Sequence, residues 1–178
     1  MVQVQVKHSG GGEGEGEEVE FLYDCQSTST VDDIASDLSQ ISNLQTKILR
    51  IFHQLQPRLS LHRRDSKVMT LIRALSESNS YASKDLVLRN KPLSLYVLRD
   101  HLKSIEREFS ANYRTLGFPD SNLQQLLTDL ELLQEDTVEL LWAGKELHRG
   151  KQLCDYIGKN EKTKILLRLQ PPSPHPAC

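Results

Sequence analysis

Val2-Gln3-Val4-Gln5-Val6-Lys7 alternates a β-branched apolar residue with a polar one at every step, the period-two pattern of a strand with one buried face. The run that follows, Ser9–Glu18, is almost wholly Gly and Glu. With no apolar face to bury it reads as an acidic, flexible loop leading to a second strand, Val19–Cys25, so residues 1–25 are predicted to form a hairpin. The same alternation returns near the other end. Ile165, Leu167 and Leu169 interleave with Lys164, Leu166 and Arg168, which predicts a half-buried strand over 163–170 after a turn centred on Gly158. Pro171–Cys178 is proline-rich and reads as a disordered tail over 171–178.

Between these strands the apolar period changes to that of helices. Ser27, Thr28, Ser29 and Thr30 offer N-caps, and Thr30 with Asp33 approximates a capping box. Ile34, Leu38, Ile41, Leu44, Ile48, Ile51 or Phe52, and Leu55 then recur at steps of three and four, predicting a long helix over 30–56 that stops at Pro57. Residues 65–150 are predicted to be a helical region. Asp65 or Ser66 caps a short helix carrying Val68, Leu71, Ile72 and Leu75, which fades over Glu77–Ser80. Pro92 interrupts the chain, and Leu95, Leu98, Leu102, Ile105 and Phe109 form another stripe ending near Asn112. Leu116–Ser121, with Gly117 and Pro119, is a turn. Leu123, Leu126, Leu127, Leu130 and Leu133, then Val138, Leu141, Trp142 and Leu147, continue a helical pattern toward Gly150, as one helix or as two split near Glu135. Hairpin, long helix, further helices and a last strand make residues 1–170 a single α+β domain in which the terminal strand returns to the hairpin. A ubiquitin-like β-grasp-type sheet with a large helical insertion fits that order, although no middle strand stands out.

A chain of 178 residues can bury about 70% of its unfolded surface in one core. The apolar share of 38%, the charged share of 26% and the mean hydropathy of -0.46 are those of a soluble globular protein. A net charge of -2 provides no long-range field for nucleic acid or anionic lipid, and nucleic acid is not an expected partner. Cys25, Cys154 and Cys178 are widely spaced, form no CxxC pair and read as reduced cytosolic thiols. The polar residues in the opening strand exclude a secretory signal there, and no stretch has the apolar length for a membrane span.

No motif points to catalysis. Gly144 and Gly150-Lys151-Gln152 resemble a phosphate loop, but five residues separate the glycines instead of four and Gln152 stands where Ser or Thr would hold magnesium. His8, His53, His62, His101, His148 and His175 form no HExxH or i, i+4 ligand pair, so no metal or other cofactor is expected. No GxSxG elbow presents a nucleophile. The one polar cluster with character lies between Lys145 and Arg168: Lys145, Arg149, Lys151, Lys159, Lys162, Lys164 and Arg168 outnumber Glu146, Asp155 and Glu161. It reads equally as a solvated face with a lysine-guarded strand edge or as a partner-binding surface. Trp142 and Tyr156 read first as core packing and second as interface anchors.

The stretch Leu141-Trp142-Ala143-Gly144-Lys145-Glu146-Leu147, followed by Asp155-Tyr156-Ile157-Gly158-Lys159-Asn160-Glu161-Lys162-Thr163-Lys164, closely resembles the C-terminal signature of the cilia- and flagella-associated protein 298 (Kurly) family. Weaker similarity runs through Ala82-Ser83-Lys84, the helix around Val97–Leu102 and the opening strand. Leu141 stands where the family tends to have a second tryptophan, the link after the first helix is shortened, and 171–178 replaces a charged extension. The family also looks more strand-like where Tyr113–Leu133 reads as turn and helix. The resemblance implies a non-enzymatic, cytoplasmic factor for motile cilia that supports dynein arm assembly, is associated with basal bodies, and has dynein-assembly factors as protein partners and no small-molecule substrate. It makes Trp142, Lys145, Arg149, Lys151, Tyr156, Lys159, Asn160 and Lys162 the candidate partner-binding residues. The alternative is a basic-patch polyanion module for tubulin tails, phosphoinositide or RNA, with no ciliary role.

Overall fold

The computed structural model describes residues 1–9 and 18–172. Most of the expected Gly/Glu loop over 9–18 and of the expected tail over 171–178, namely 10–17 and 173–178, lies outside the described residues. Strand β1 (Val2–His8) pairs antiparallel with β2 (Val19–Cys25) in the register Val2 to Cys25 through His8 to Val19. The last strand, β5 (Lys164–Gln170), lies parallel to β1 on its other side, with Val4 opposite Ile165 and Val6 opposite Leu167. Two further strands, β3 (Glu139–Trp142) and β4 (Lys145–Glu146), complete a mixed sheet of order β2-β1-β5-β3-β4. The fold is thus α+β, with a five-stranded mixed sheet that joins the N-terminal hairpin to the C-terminal strand, and a large helical region between them.

The alternation read from the sequence decides which face is buried. Val2, Val4, Val6, Phe21, Leu140, Ile165, Leu167 and Leu169 face the core, whereas Leu166, on the opposite face, is 47% exposed. Helix α1 (Val31–Leu59) contributes Ile34, Leu38, Ile41, Ile48, Ile51 and Leu55 to the same core. Its N-cap is Thr30, whose hydroxyl accepts from the Asp33 amide at 3.1 Å. The helix passes Pro57 rather than stopping before it. In the last turn a proline removes one helical donor, and Ser60 Oγ donates to the Gln56 and Pro57 carbonyls at 3.1 and 3.0 Å. Helices α2 (Ser66–Ala82) and α4 (Leu95–Asn112) pack on α1 and on each other, and the short α3 (Asp85–Leu88) lies against β2. Asp65 and Ser94 cap α2 and α4.

The helical expectation beyond residue 122 is corrected. Leu123–Leu126 is a single 3₁₀ turn, the chain after it is irregular, and residues 139–146 form the β3–β4 hairpin. The leucine spacing fits a helix numerically, but Leu140 gains an antiparallel partner in Leu169, and Ala143-Gly144 makes a two-residue turn. Both turn residues have positive φ, at 51° and 80°, as a type I′ hairpin requires. These two strands, which fall between the hairpin and β5 in the chain and form one edge of the sheet, are the ones that the sequence did not display. Tyr113–Leu133 adds no strand to it.

Candidate functional site

The segment after the β3–β4 hairpin is bolted to the start of α1. The Val31 amide donates to the Lys151 carbonyl at 2.8 Å, the Leu153 amide to Ser29 O at 2.9 Å and the Cys154 amide to Ser27 O at 2.7 Å. Asp32 Oδ2 accepts from the Gly150 amide at 2.9 Å. Further along, the Glu161 carboxylate accepts from both the Ser27 amide, at 2.9 Å, and the Ser27 hydroxyl. These bonds hold its pKa below the usual carboxylate range. A short helix, α5 (Cys154–Ile157), ends at Gly158, whose φ of 81° turns the chain toward β5. Register brings these parts together: Leu141 lies opposite Arg168, so the hairpin tip reaches toward the end of the sheet where β5 begins at Lys164.

Within this frame the candidate residues divide. The Arg149 guanidinium donates to the carbonyls of Glu135 and Val138 at 2.8 and 3.0 Å and lies 3.7 Å from Asp32, so it clamps the loop before β3 to the head of α1. Asn160 closes a turn, its Oδ1 accepting from the Lys162 amide at 3.0 Å and its carbonyl from the Thr163 hydroxyl at 2.8 Å. Tyr156 is half-buried, and its hydroxyl accepts from the His148 amide at 2.8 Å. Trp142 ends β3, not a helix turn, and is half-buried against the core. Lys145, Lys151, Lys159 and Lys162 are exposed and have no carboxylate partner among the described residues. The two other cations of the cluster differ from one another: Arg168 pairs with Glu18, and Lys164 opens β5 exposed. Sequence reasoning missed the anchors Ser27, Asp32 and Glu161, because their partners lie more than a hundred residues away along the chain.

Chemically, this end of the molecule presents cations on a braced surface. Among the described residues no group of three or more His, Cys, Asp or Glu could hold a metal, and no helix is long and apolar enough to cross a membrane. It is an α+β scaffold with lysines displayed on a hairpin tip and an anchored loop. Residues 138–178, which include that surface, match the family model described as cilia- and flagella-associated protein 298. The chain is similar to the protein of that name from Danio rerio, 32% identical over 111 residues, which are 56% of this chain and 38% of that one. The Homo sapiens protein is 30% identical over 111 residues with the same coverage, and the Rattus norvegicus protein 58% identical over 41 residues, 23% of this chain and 14% of that one. The resemblance to the cilia- and flagella-associated protein 298 family therefore holds, and is strongest in the hairpin and anchored loop. The matched part of this chain spans well under half the length of these relatives. No solved structure matches the chain.

Proposed function

We propose that this protein is a non-catalytic adaptor or assembly factor for motile cilia and flagella, supporting axonemal dynein arm assembly and cilium movement by binding protein partners in the cytoplasm and at the basal body. The observation that carries this reading is the coincidence of the matched segment, 138–178, with the braced surface that displays Lys145, Lys151, Lys159 and Lys162. Four cations with no carboxylate partner among the described residues are available to the carboxylates of an acidic partner, where they speed encounter and fix register. Trp142 and Tyr156 border that surface as half-buried aromatics suited to anchoring it. Arg149 and Asn160 act one step back, by holding the loop in shape.

The test is affinity purification of the Lys145→Glu/Lys151→Glu/Lys159→Glu variant beside the unaltered chain, at two salt concentrations. Recovery of dynein chains or their assembly chaperones by the unaltered chain alone supports the adaptor. The exposed, unpaired lysines also suit a polyanion module. Recovery of only tubulin, lipid or RNA, lost at moderate salt, would replace the adaptor with that module.

A further inference from the structure

A second basic surface lies on the helical insertion, separated from the first by most of the length of α1, about 40 Å of helix. Between Arg58 and Arg73 the chain carries Arg58, Arg63, Arg64, Lys67 and Arg73 against the single carboxylate of Asp65. Two of these six are used internally. Arg58 lies 4.0 Å over the Phe118 ring and donates to the Leu116 carbonyl, and Asp65 caps α2. Arg63, Arg64 and Arg73 have no carboxylate partner among the described residues.

Two of those free guanidinium groups line a groove of about 520 Å³ between the end of α1 and the start of α2. Gln56 and Leu59 at the end of α1, with Arg63 just beyond it, line one side, and Met69 with Ile72 and Arg73, three and four residues further along α2, line the other. Helix α4 packs against both α1 and α2 but supplies no lining residue, so the groove is the flank of the α1–α2 seam that α4 leaves uncovered. Met69 is 50% exposed there, and neighbouring Leu61 is 80% exposed.

We infer that this groove docks an acidic amphipathic helix of a partner protein, its apolar stripe on Met69 and Ile72 above the buried Leu59 and its carboxylates on Arg63 and Arg73. The apolar lining calls for a convex apolar ligand, and a helix laid in a groove supplies one as anchors at i, i+3 or i+4, and i+7. Methionine in such a lining adapts to anchors of different shape. The two arginines specify the flanks, because a guanidinium with no internal partner accommodates a carboxylate through two parallel hydrogen bonds. A bilayer would satisfy the arginines but is flat on this scale and would not fill the groove. The inference is independent of the ciliary reading, since it uses none of the residues proposed there.

The probe is a fluorescein-labelled synthetic helix with Leu at i, i+3 and i+7 and Glu flanking them, titrated with the full chain and followed by anisotropy. The expected result is saturable binding that weakens at least about tenfold for a scrambled peptide of equal composition, for Arg63→Glu/Arg73→Glu and for Met69→Glu. The Arg63→Glu/Arg73→Glu variant should in turn prefer a peptide with Lys in place of Glu. All the altered side chains are exposed, so unchanged melting temperatures verify the fold. Equal binding of scrambled and ordered peptides, or undiminished binding by both variants, would overturn the inference. So would binding to phosphatidylserine vesicles with none to the peptide, or self-association of the chain that Met69→Glu abolishes. The Lys145→Glu/Lys151→Glu/Lys159→Glu variant should bind the peptide normally, which separates failure here from failure of the adaptor reading.

Discussion

Ala143 sits at φ 51°, in the left-handed region where a β-carbon crowds the following carbonyl at a cost of about 1–2 kcal/mol. The two-residue turn of the β3–β4 hairpin demands that conformation, and asparagine meets it more easily than alanine. Ala143→Asn should therefore raise the melting temperature by about 2–4 °C, measured by differential scanning calorimetry. A second residue-scale test concerns the thiols. Cys25, the last residue of β2, is buried, and burial, with the nearby carboxylate of Glu161, pushes its pKa up to about 11. Cys154 is half-buried. Since the thiolate is the reactive form, a thiol alkylator applied to the native protein at pH 8 should modify Cys154 well before Cys25, as peptide mapping would show.

Adjacent positions on one element make the sharpest test of the sheet. Leu167 is fully buried on β5 whereas Leu166 is 47% exposed on the other face. Leu167→Ala should cost about 2–5 kcal/mol in denaturant unfolding, and Leu166→Ala within about 0.5 kcal/mol of nothing. A reversal would mean that the strand is displaced by one residue. The elements that could be read in advance are those whose pattern is long or strictly alternating: β1, β5, α1 and α4. Their periodicity is imposed by burial of one face, so it is written in the order of residues. The β3–β4 hairpin was hidden because Glu139–Trp142 has no clean alternation and is a strand only by virtue of its pairing with β5. The candidate site was legible as charge but not as support. The lysines were visible in the sequence, whereas the bonds of Arg149 to Asp32 and of Glu161 to Ser27 join distant segments. The groove arginines escaped notice for a related reason: Arg63 and Arg73 come together only because the turn between α1 and α2 folds their helices side by side.

Across the whole molecule, buried polar groups tie the layers together and set its response to pH. Fully buried Gln45 of α1 bonds the His8 ring of β1 at 2.8 Å, the Glu20 carbonyl of β2 at 3.0 Å and the Ala82 carbonyl at the end of α2 at 2.8 Å. Burial lowers the pKa of His8 below 6.5 against the opposing Gln45 hydrogen bond, and burial likewise lowers that of His101 against Glu77 and Asp100. Both rings therefore bind protons less readily folded than unfolded. The stability this represents is fully present above pH 6.5 and is lost as pH falls from there toward the folded-state values. The melting temperature should be level near pH 7–8 and decline toward pH 5. His8→Phe should lower it at pH 7, by leaving the buried Gln45 Oε1 without its ring partner, while making the decline shallower.

The parallel pairing of β1 with β5 has a consequence for how the protein is made. On the ribosome the first hairpin emerges early, but the strand that occupies its free side is synthesised only after the whole helical insertion. Throughout that interval the nascent chain carries an open β edge beside the apolar row Val2, Val4 and Val6, the kind of exposed template that invites pairing with other chains. Slowed translation of the insertion should therefore favour aggregation, and a holdase acting near the exit tunnel should matter more for yield than the stability of the finished fold.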